Sequence, residues 1–292
     1  MSVFTGSAVA LITPFHDGAI DYVALTRLIE LQIASGSDAI VALGTTGEAS
    51  TLSADEREEA IRFIVERVSE RIPVIVGTGG NNTEEVIERS RFAEAVGADA
   101  LLIVTPYYNK TTQDGLVAHF AAVAEQVRLP IIVYNVPSRT GLNILPETMR
   151  KLMDSCENIV GIKEASGNIE QIVKLAALCP DCDLYSGNDD HVVPILSVGG
   201  KGVISTVANI IPEVMHLMCK AFFDGNVQEA KRLQLALLPL QQAAFCEVNP
   251  IPIKTMMGLL KLCDPEVRLP LVKPSLAHFE LMETTLRENG ML

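Results

Sequence analysis

The feature that most constrains this chain is a recurring pattern. Short apolar, β-branched runs occur at residues 8–12, 39–43, 74–76, 100–104, 131–134, 159–162, 183–185 and 202–205. Each ends in or just before Gly, Thr, Asn or Ser and is followed by an amphipathic segment. The runs are continuously apolar rather than alternating, which predicts parallel strands buried on both faces. Between them, residues 22–35 place Leu25, Leu28, Ile29 and Gln32 at helical spacing. Ser53 and Glu56 form a capping box that opens a helix running to about residue 69. Residues 83–96 read as a helix with Thr83 as N-cap, Glu84 and Glu85 in its first turn and Gly97 past its end. Residues 113–127, 146–153, 168–178, 189–197 and 212–223 complete the set. Eight strands alternating with helices predict a (β/α)8 TIM barrel, an α/β fold. The alternative, a doubly wound sheet, calls for a glycine fingerprint after the first strand. This chain has Thr13-Pro14-Phe15-His16-Asp17-Gly18 there instead.

At 292 residues the chain is longer than an ordinary domain of about 100–200 residues, but barrels of about 250 residues are familiar. After Asp224-Gly225 the strand signals stop, and residues 226–245, 252–263 and 275–289 read as three helices. The expected division is a catalytic barrel over residues 1–224 and a C-terminal helical domain over residues 225–292.

Composition narrows the function. With 23 Lys+Arg against 36 Asp+Glu, the net charge of −13 argues against nucleic acid or an anionic membrane as a main partner. A hydrophobic content of 48% is too high for disorder. The first residues lack a basic region leading into a long apolar stretch, so no targeting segment is expected. The apolar runs fall far short of the roughly 20 residues a membrane helix needs. The cysteines, at 156, 179, 182, 219, 246 and 263, form no secreted framework. Cys179-Pro180-Asp181-Cys182 lacks two further ligands at matching spacing, so zinc is not expected. A reducing cytoplasm fits this pattern.

In a barrel of this kind chemistry sits where the strands end at their C-terminal side. Lys163 ends one apolar run, where partial desolvation lowers an amine's pKa and makes it nucleophilic. It can form a Schiff base with a ketone, or it can be a strand-end lysine reaching solvent. Gly44-Thr45-Thr46-Gly47 offers backbone N–H groups and hydroxyls to a carboxylate, or is an ordinary turn into the capped helix. Tyr134 is a proton relay or a core aromatic, and Arg139 a carboxylate clamp or a surface ion pair. Tyr107-Tyr108 fits core, interface or catalysis. Gly199-Gly200-Lys201-Gly202 has the wrong spacing for a phosphate loop, and Asp189-Asp190-His191 reads as acids that cap a helix start rather than bind metal.

Together these residues resemble the dihydrodipicolinate synthase family, within the pyruvate-dependent aldolases typified by N-acetylneuraminate lyase. The resemblance covers essentially the whole chain. It is carried by Gly44-Thr45-Thr46-Gly47-Glu48, the segment around Lys163, Tyr134-Asn135-Val136-Pro137-Ser138-Arg139-Thr140-Gly141 and Asn249-Pro250-Ile251-Pro252-Ile253-Lys254. It implies condensation of pyruvate with L-aspartate-4-semialdehyde, in diaminopimelate and lysine biosynthesis, through an imine on Lys163 and without metal or organic cofactor. It implies a proton relay of Tyr134, Thr46 and Tyr108, with Thr45 in the same cluster and Tyr108 reaching in from a neighbouring subunit of a homotetramer, a dimer of tight dimers. Arg139 matches the residue organising the site for the semialdehyde carboxylate, and Thr46, Gly187 and Ile204 match positions contacting pyruvate. Asn81, Glu85 and Tyr107, with Ser50 nearby, match a feedback site for lysine. Arg57 and Ala54 depart from that pattern, and a fixed cation beside a dicationic ligand leads to an expectation of weak or absent inhibition. The competing enzyme reading is an aldolase of N-acetylneuraminate or a 2-keto-3-deoxy sugar acid, which the Ser138-Arg139-Thr140-Gly141 context argues against. A non-catalytic binding relative is disfavoured because nucleophile, tyrosines and carboxylate loop occur together.

Overall fold

Closing a sheet abolishes its edges, and the eight strands buried on both faces here close on themselves. The computed structural model describes residues 2–292. Its barrel strands are β1 (Gly6–Ala10), β2 (Ala39–Ala42), β3 (Val74–Gly77), β4 (Ala100–Val104), β5 (Ile131–Asn135), β6 (Ile159–Glu164), β7 (Asp183–Ser186) and β8 (Gly202–Ser205). All neighbours are parallel, each strand pairs with the next, and β8 returns to β1 with Gly6 opposite Gly202. The helices α1 (Tyr22–Ala34), α2 (Ala54–Val68), α3 (Thr83–Ala95), α4 (Gln113–Ala124), α5 (Pro146–Ser155), α6 (Ile169–Leu178), α7 (Val192–Ser197) and α8 (Pro212–Phe223) follow the strands in turn. The capping box of Ser53 and Glu56 opens α2.

Two apolar clusters explain why the runs do not alternate. Ala8, Val41, Ile75, Leu102, Ile132, Tyr185 and Ile204 fill the barrel interior. Val9, Ile40, Val76, Ile103, Val133 and Val203 face outward into the helical layer. Phe4 stacks on Tyr185 with ring centroids 4.3 Å apart, and the Tyr185 hydroxyl donates to the Phe4 carbonyl at 2.8 Å. This closes the N-terminal end of the barrel.

One register slip matters to the site. Ile131 pairs with Ile159 but Ile132 pairs with Gly161, so β6 carries an extra residue, Val160. The slip brings Lys163 opposite Tyr134 and Asn135 opposite Glu164. Without it, Ile162 would stand opposite Tyr134, because a one-residue shift exchanges inward and outward side chains.

Four helices follow the barrel: α9 (Val227–Ala236), α10 (Leu238–Ala244), α11 (Ile251–Leu259) and α12 (Leu276–Glu288). The single helix expected over residues 226–245 is therefore two. Pro239 has no N–H to give to the Leu235 carbonyl, and the helix breaks just before it. The N-cap of α3 is Asn82 rather than Thr83, its side chain accepting from the Glu84 N–H. The loop after β1 forms a small antiparallel hairpin, Phe15–His16 with Ala19–Ile20, turned by Asp17 and Gly18 at positive φ.

Candidate active site

The C-terminal ends of the strands surround a cavity of about 540 Å³. Thr45, Thr46, Tyr134, Arg139, Lys163, Gly187 and Asp189 line it from the barrel, and Leu238, Gln241, Phe245 and Asn249 from the segment beyond it. The residues after the barrel thus form one wall of the site.

Lys163 is buried, and its Nζ lies 4.4 Å from the centroid of the Tyr134 ring. Burial lowers its pKa from 10.5 to about 8; Asp189 pulls it upward and Arg139 pushes it down. At neutral pH the free-amine fraction then rises from about one in three thousand to about one in ten. Burial raises the Tyr134 phenol, while the Arg139 charge and hydrogen bonding by the Thr45 side chain act against that rise. A nucleophilic amine and a hydroxyl able to hold or pass a proton therefore share one dry wall.

Gly187 makes room for this arrangement. A Cβ there would stand 2.6 Å from the Ala165 Cβ and 3.2 Å from the Lys163 Cγ. Glu164, the next residue of β6, faces away from the cavity. Its carboxylate accepts from the Ser166 N–H at 2.7 Å, from Asn135 Nδ2 at 2.9 Å and from Gln171 Nε2 at 3.2 Å. These bonds pin the end of the strand that carries Lys163.

Asp189 departs from the sequence expectation. It does not cap the following helix. Its Oδ2 accepts from the N–H groups of Thr206 at 3.0 Å and Val207 at 3.1 Å, holding the loop after β8. Its Oδ1 is buried with no hydrogen-bond partner among the described residues. Gln234 and Gln241 both donate to its main-chain carbonyl at 2.9 Å, tying α9 and α10 to the barrel mouth.

The two motifs at the far ends of the chain are joined here. Asn249 Nδ2 donates to Thr46 Oγ1 at 2.9 Å, and Arg139 Nη2 donates to the Asn249 carbonyl at 3.1 Å. Glu48, at a left-handed φ of 50°, extends one carboxylate oxygen to Lys254 Nζ at 2.6 Å. The other accepts from the Arg268 N–H at 3.1 Å. Glu48 and Lys254 are both buried, and Lys254 Nζ also sits 4.1 Å from the Phe15 ring centroid. This ion pair holds the Gly44–Glu48 loop in place beneath Thr45 and Thr46.

Other expected site residues lie elsewhere. Ile204 is in the barrel interior and does not line the cavity. Tyr108 is 92% exposed, at a φ of 69°, and lines neither this cavity nor its neighbour. Ser50 and Tyr107 line an adjoining cavity with Arg57 and Arg89. Glu85 is paired with Arg89 and lines a third, and the Asn81 carbonyl accepts from Asn109. Asp189, Asn249, Glu48 and Lys254 have structural parts in the site that sequence reasoning did not assign. Only the spacing within their motifs hinted at them.

The fold and this mouth define a class: a (β/α)8 barrel with a buried, desolvated lysine beside a tyrosine where the strands end. The model of the dihydrodipicolinate synthetase family matches residues 3–289, and the chain belongs to that family. A relative from Clostridium acetobutylicum, named 4-hydroxy-tetrahydrodipicolinate synthase 1, is 53% identical over 100% of both chains. The solved dihydrodipicolinate synthase of Thermotoga maritima superposes with a TM-score of 0.97 at 42% identity, covering 100% of both chains. A synthase structure from Cyanidioschyzon merolae, described as having lysine bound, has a TM-score of 0.95 at 39% identity, again over 100% of both chains.

The Glu48–Lys254 pair generates a prediction. Removing one partner strands a buried charge, a loss of about 3–5 kcal/mol. Lys254→Met is expected to lower the urea midpoint by a corresponding amount, and adding Glu48→Gln to recover much of it. A Lys254→Met variant as stable as the parent would show that the pair does not anchor the loop.

Proposed function

We propose that this chain catalyses the condensation of pyruvate with L-aspartate-4-semialdehyde, the 4-hydroxy-tetrahydrodipicolinate synthase reaction of diaminopimelate and lysine biosynthesis. The observation that carries this reading is the buried Lys163 amine, lowered to about 8, beside Tyr134 in a cavity with Arg139 at its wall. The names of relatives at about half identity over the whole chain support it.

In this reading the neutral Lys163 amine attacks the ketone carbon of pyruvate, and loss of water leaves a protonated imine. The imine withdraws electrons, a methyl proton leaves, and the resulting enamine carbon attacks the aldehyde of the semialdehyde. The semialdehyde's own amine then attacks the imine carbon, closing a ring and releasing Lys163. The imine itself is the electron sink, so the scheme needs no metal or organic cofactor. Tyr134, Thr46 and Tyr108 relay protons, with Thr45 holding Tyr134. The N–H groups around Thr46 and the side-chain-free backbone at Gly187 receive pyruvate, Ile204 backs the site from the barrel interior, and Arg139 orients the second carboxylate.

The same reading assigns catalysis to a barrel of residues 1–224 and a supporting role to a helical domain of residues 225–292. It makes the enzyme a cytoplasmic homotetramer built as a dimer of tight dimers. No helix among the described residues is long and apolar enough to cross a membrane. The exposure and left-handed backbone of Tyr108 are in keeping with a side chain whose partner lies on another copy. Lysine binds weakly or not at all at Ser50, Asn81, Glu85 and Tyr107, because the Arg57 cation stands beside two of these residues. Titration of lysine against turnover is expected to give no saturable inhibition; potent inhibition would refute this.

Incubation with pyruvate and borohydride, followed by mass mapping, is expected to place the adduct on Lys163. An adduct-free Lys163 would remove the mechanism. Because the neutral amine is the reactive form, the adduct rate should fall about tenfold per pH unit below about 8 and level off above it. A rate still rising steeply from pH 9 to 10 would mean that the amine is not desolvated. Tyr108→Phe is expected to lower kcat by about 10²-fold or more, in line with general acid–base catalysis, while leaving the circular-dichroism melt unchanged. Turnover near that of the parent would take Tyr108 out of the relay.

A further inference from the structure

Four charged side chains line the barrel mouth, and only two of them are out of water. Lys163 is 6% exposed and Asp189 is 3% exposed, whereas Arg139 and Asp190 are exposed at the rim. Unlike Glu48 and Lys254, the two buried charges are not in contact. They face one cavity instead. We infer that Asp189 is the counter-ion of Lys163, stabilising the positive charge that this side chain carries as an ammonium and, where the reaction proposed above holds, as a protonated imine.

Four hydrogen bonds fix this carboxylate in the cavity wall. The N–H groups of Thr206 and Val207 donate to its Oδ2, and Gln234 and Gln241 donate to the main-chain carbonyl of the same residue. The two bonds to Oδ2 favour the anion. Its Oδ1 is buried with no hydrogen-bond partner among the described residues, so an occupant of the cavity does not touch it there. Asp189 is thus a positioning residue that acts through its field. Holding the loop after β8 does not by itself call for a charge, because an amide or hydroxyl oxygen accepts the same bonds. A buried anion with no cation in contact is costly, and a cation across the same dry space offsets that cost.

The surroundings isolate the pair. Burial pushes the Asp189 carboxyl up, while the Ser205 side chain, the Val207 and Thr206 N–H groups and Lys163 hold it down. Burial lowers Lys163, and Asp189 is the group that opposes this. The other titratable neighbours are Tyr134 on β5, Tyr185 opposite Lys163 on β7, and Cys219 on α8. Burial pushes all three upward, so they are neutral at neutral pH. A protonated imine gives up its proton more readily than an alkylammonium, so it depends on a nearby anion more strongly. Without that anion the imine would shed its proton and lose its pull on the electrons of the methyl group.

Competitive acetylation of the full chain with acetic anhydride across about pH 6–10, read at Lys163 by peptide mass, gives the midpoint of its amine without any substrate. Asp189→Asn is expected to move that midpoint down by about one unit or more relative to the parent. Asp189→Ser, smaller and also neutral, should move it likewise, since its hydroxyl can still accept from the loop. Asp190→Asn, at the exposed rim, should leave it in place. With pyruvate in heavy water, exchange of the methyl protons followed by NMR should slow about tenfold or more in Asp189→Asn, because less of the imine is protonated. An unmoved midpoint in the Asp189 variants overturns the proposal, and so does an equal shift in Asp190→Asn. Methyl exchange at the parental rate in Asp189→Asn overturns the role in the imine. If the parent forms no pyruvate adduct, the reaction scheme fails, and the acetylation midpoints alone decide whether Asp189 serves Lys163.

Discussion

An amine useful for imine chemistry at neutral pH has to be kept from water and yet left open to a substrate. In this protein the closed sheet meets that demand. A strand buried on both faces can carry one lysine only at its end, where the barrel stops and a cavity begins. The bulge in β6 chooses which residue stands there, and Gly187 leaves the space beside it. Desolvation does most of the work on Lys163, while Asp189 and Arg139 act in opposition. The rest of the mouth can be understood as support for that one buried group: Glu164 pins the strand from behind, and Asp189 holds the neighbouring loop.

Charge is organised on two scales. The chain as a whole is acidic, yet the mouth holds two cations, Lys163 and Arg139, alongside Asp189 and Asp190. Their effect is short-ranged, because screening removes the influence of exposed charges beyond about 8–10 Å at ordinary ionic strength. An acidic surface and two cations gathered in one mouth are therefore compatible.

The barrel could be read from sequence because burial on both faces leaves an unbroken apolar run, and each of the eight runs became a strand. The strand-end rule then placed Lys163, Tyr134 and Thr46 on one rim before any geometry was known. Interactions between distant segments were not legible. Nothing in Asp189-Asp190-His191 distinguishes a helix cap from a carboxylate that grips the loop after β8. Residues 226–245 keep helical periodicity through Pro239, and the break shows only once the missing N–H is counted. The pairing of Glu48 with Lys254 joins two motifs that sequence spacing treats as unrelated. Ile204 and Tyr108 were assigned through family resemblance, and their surroundings within a single chain do not bring them to the cavity.

The bonds from Asn249 to Thr46 and from Lys254 to Glu48 span 203 and 206 positions of the chain. Such contacts carry a high closure cost, since a long loop must close before they repay its entropy. On a ribosome, the strand bearing Lys163 would have emerged well before the segment that fixes the loop opposite it. A nascent barrel would thus hold its nucleophile without the wall that positions a substrate. Completing that wall would then have to wait for the segment from Asn249 to Lys254 to be made.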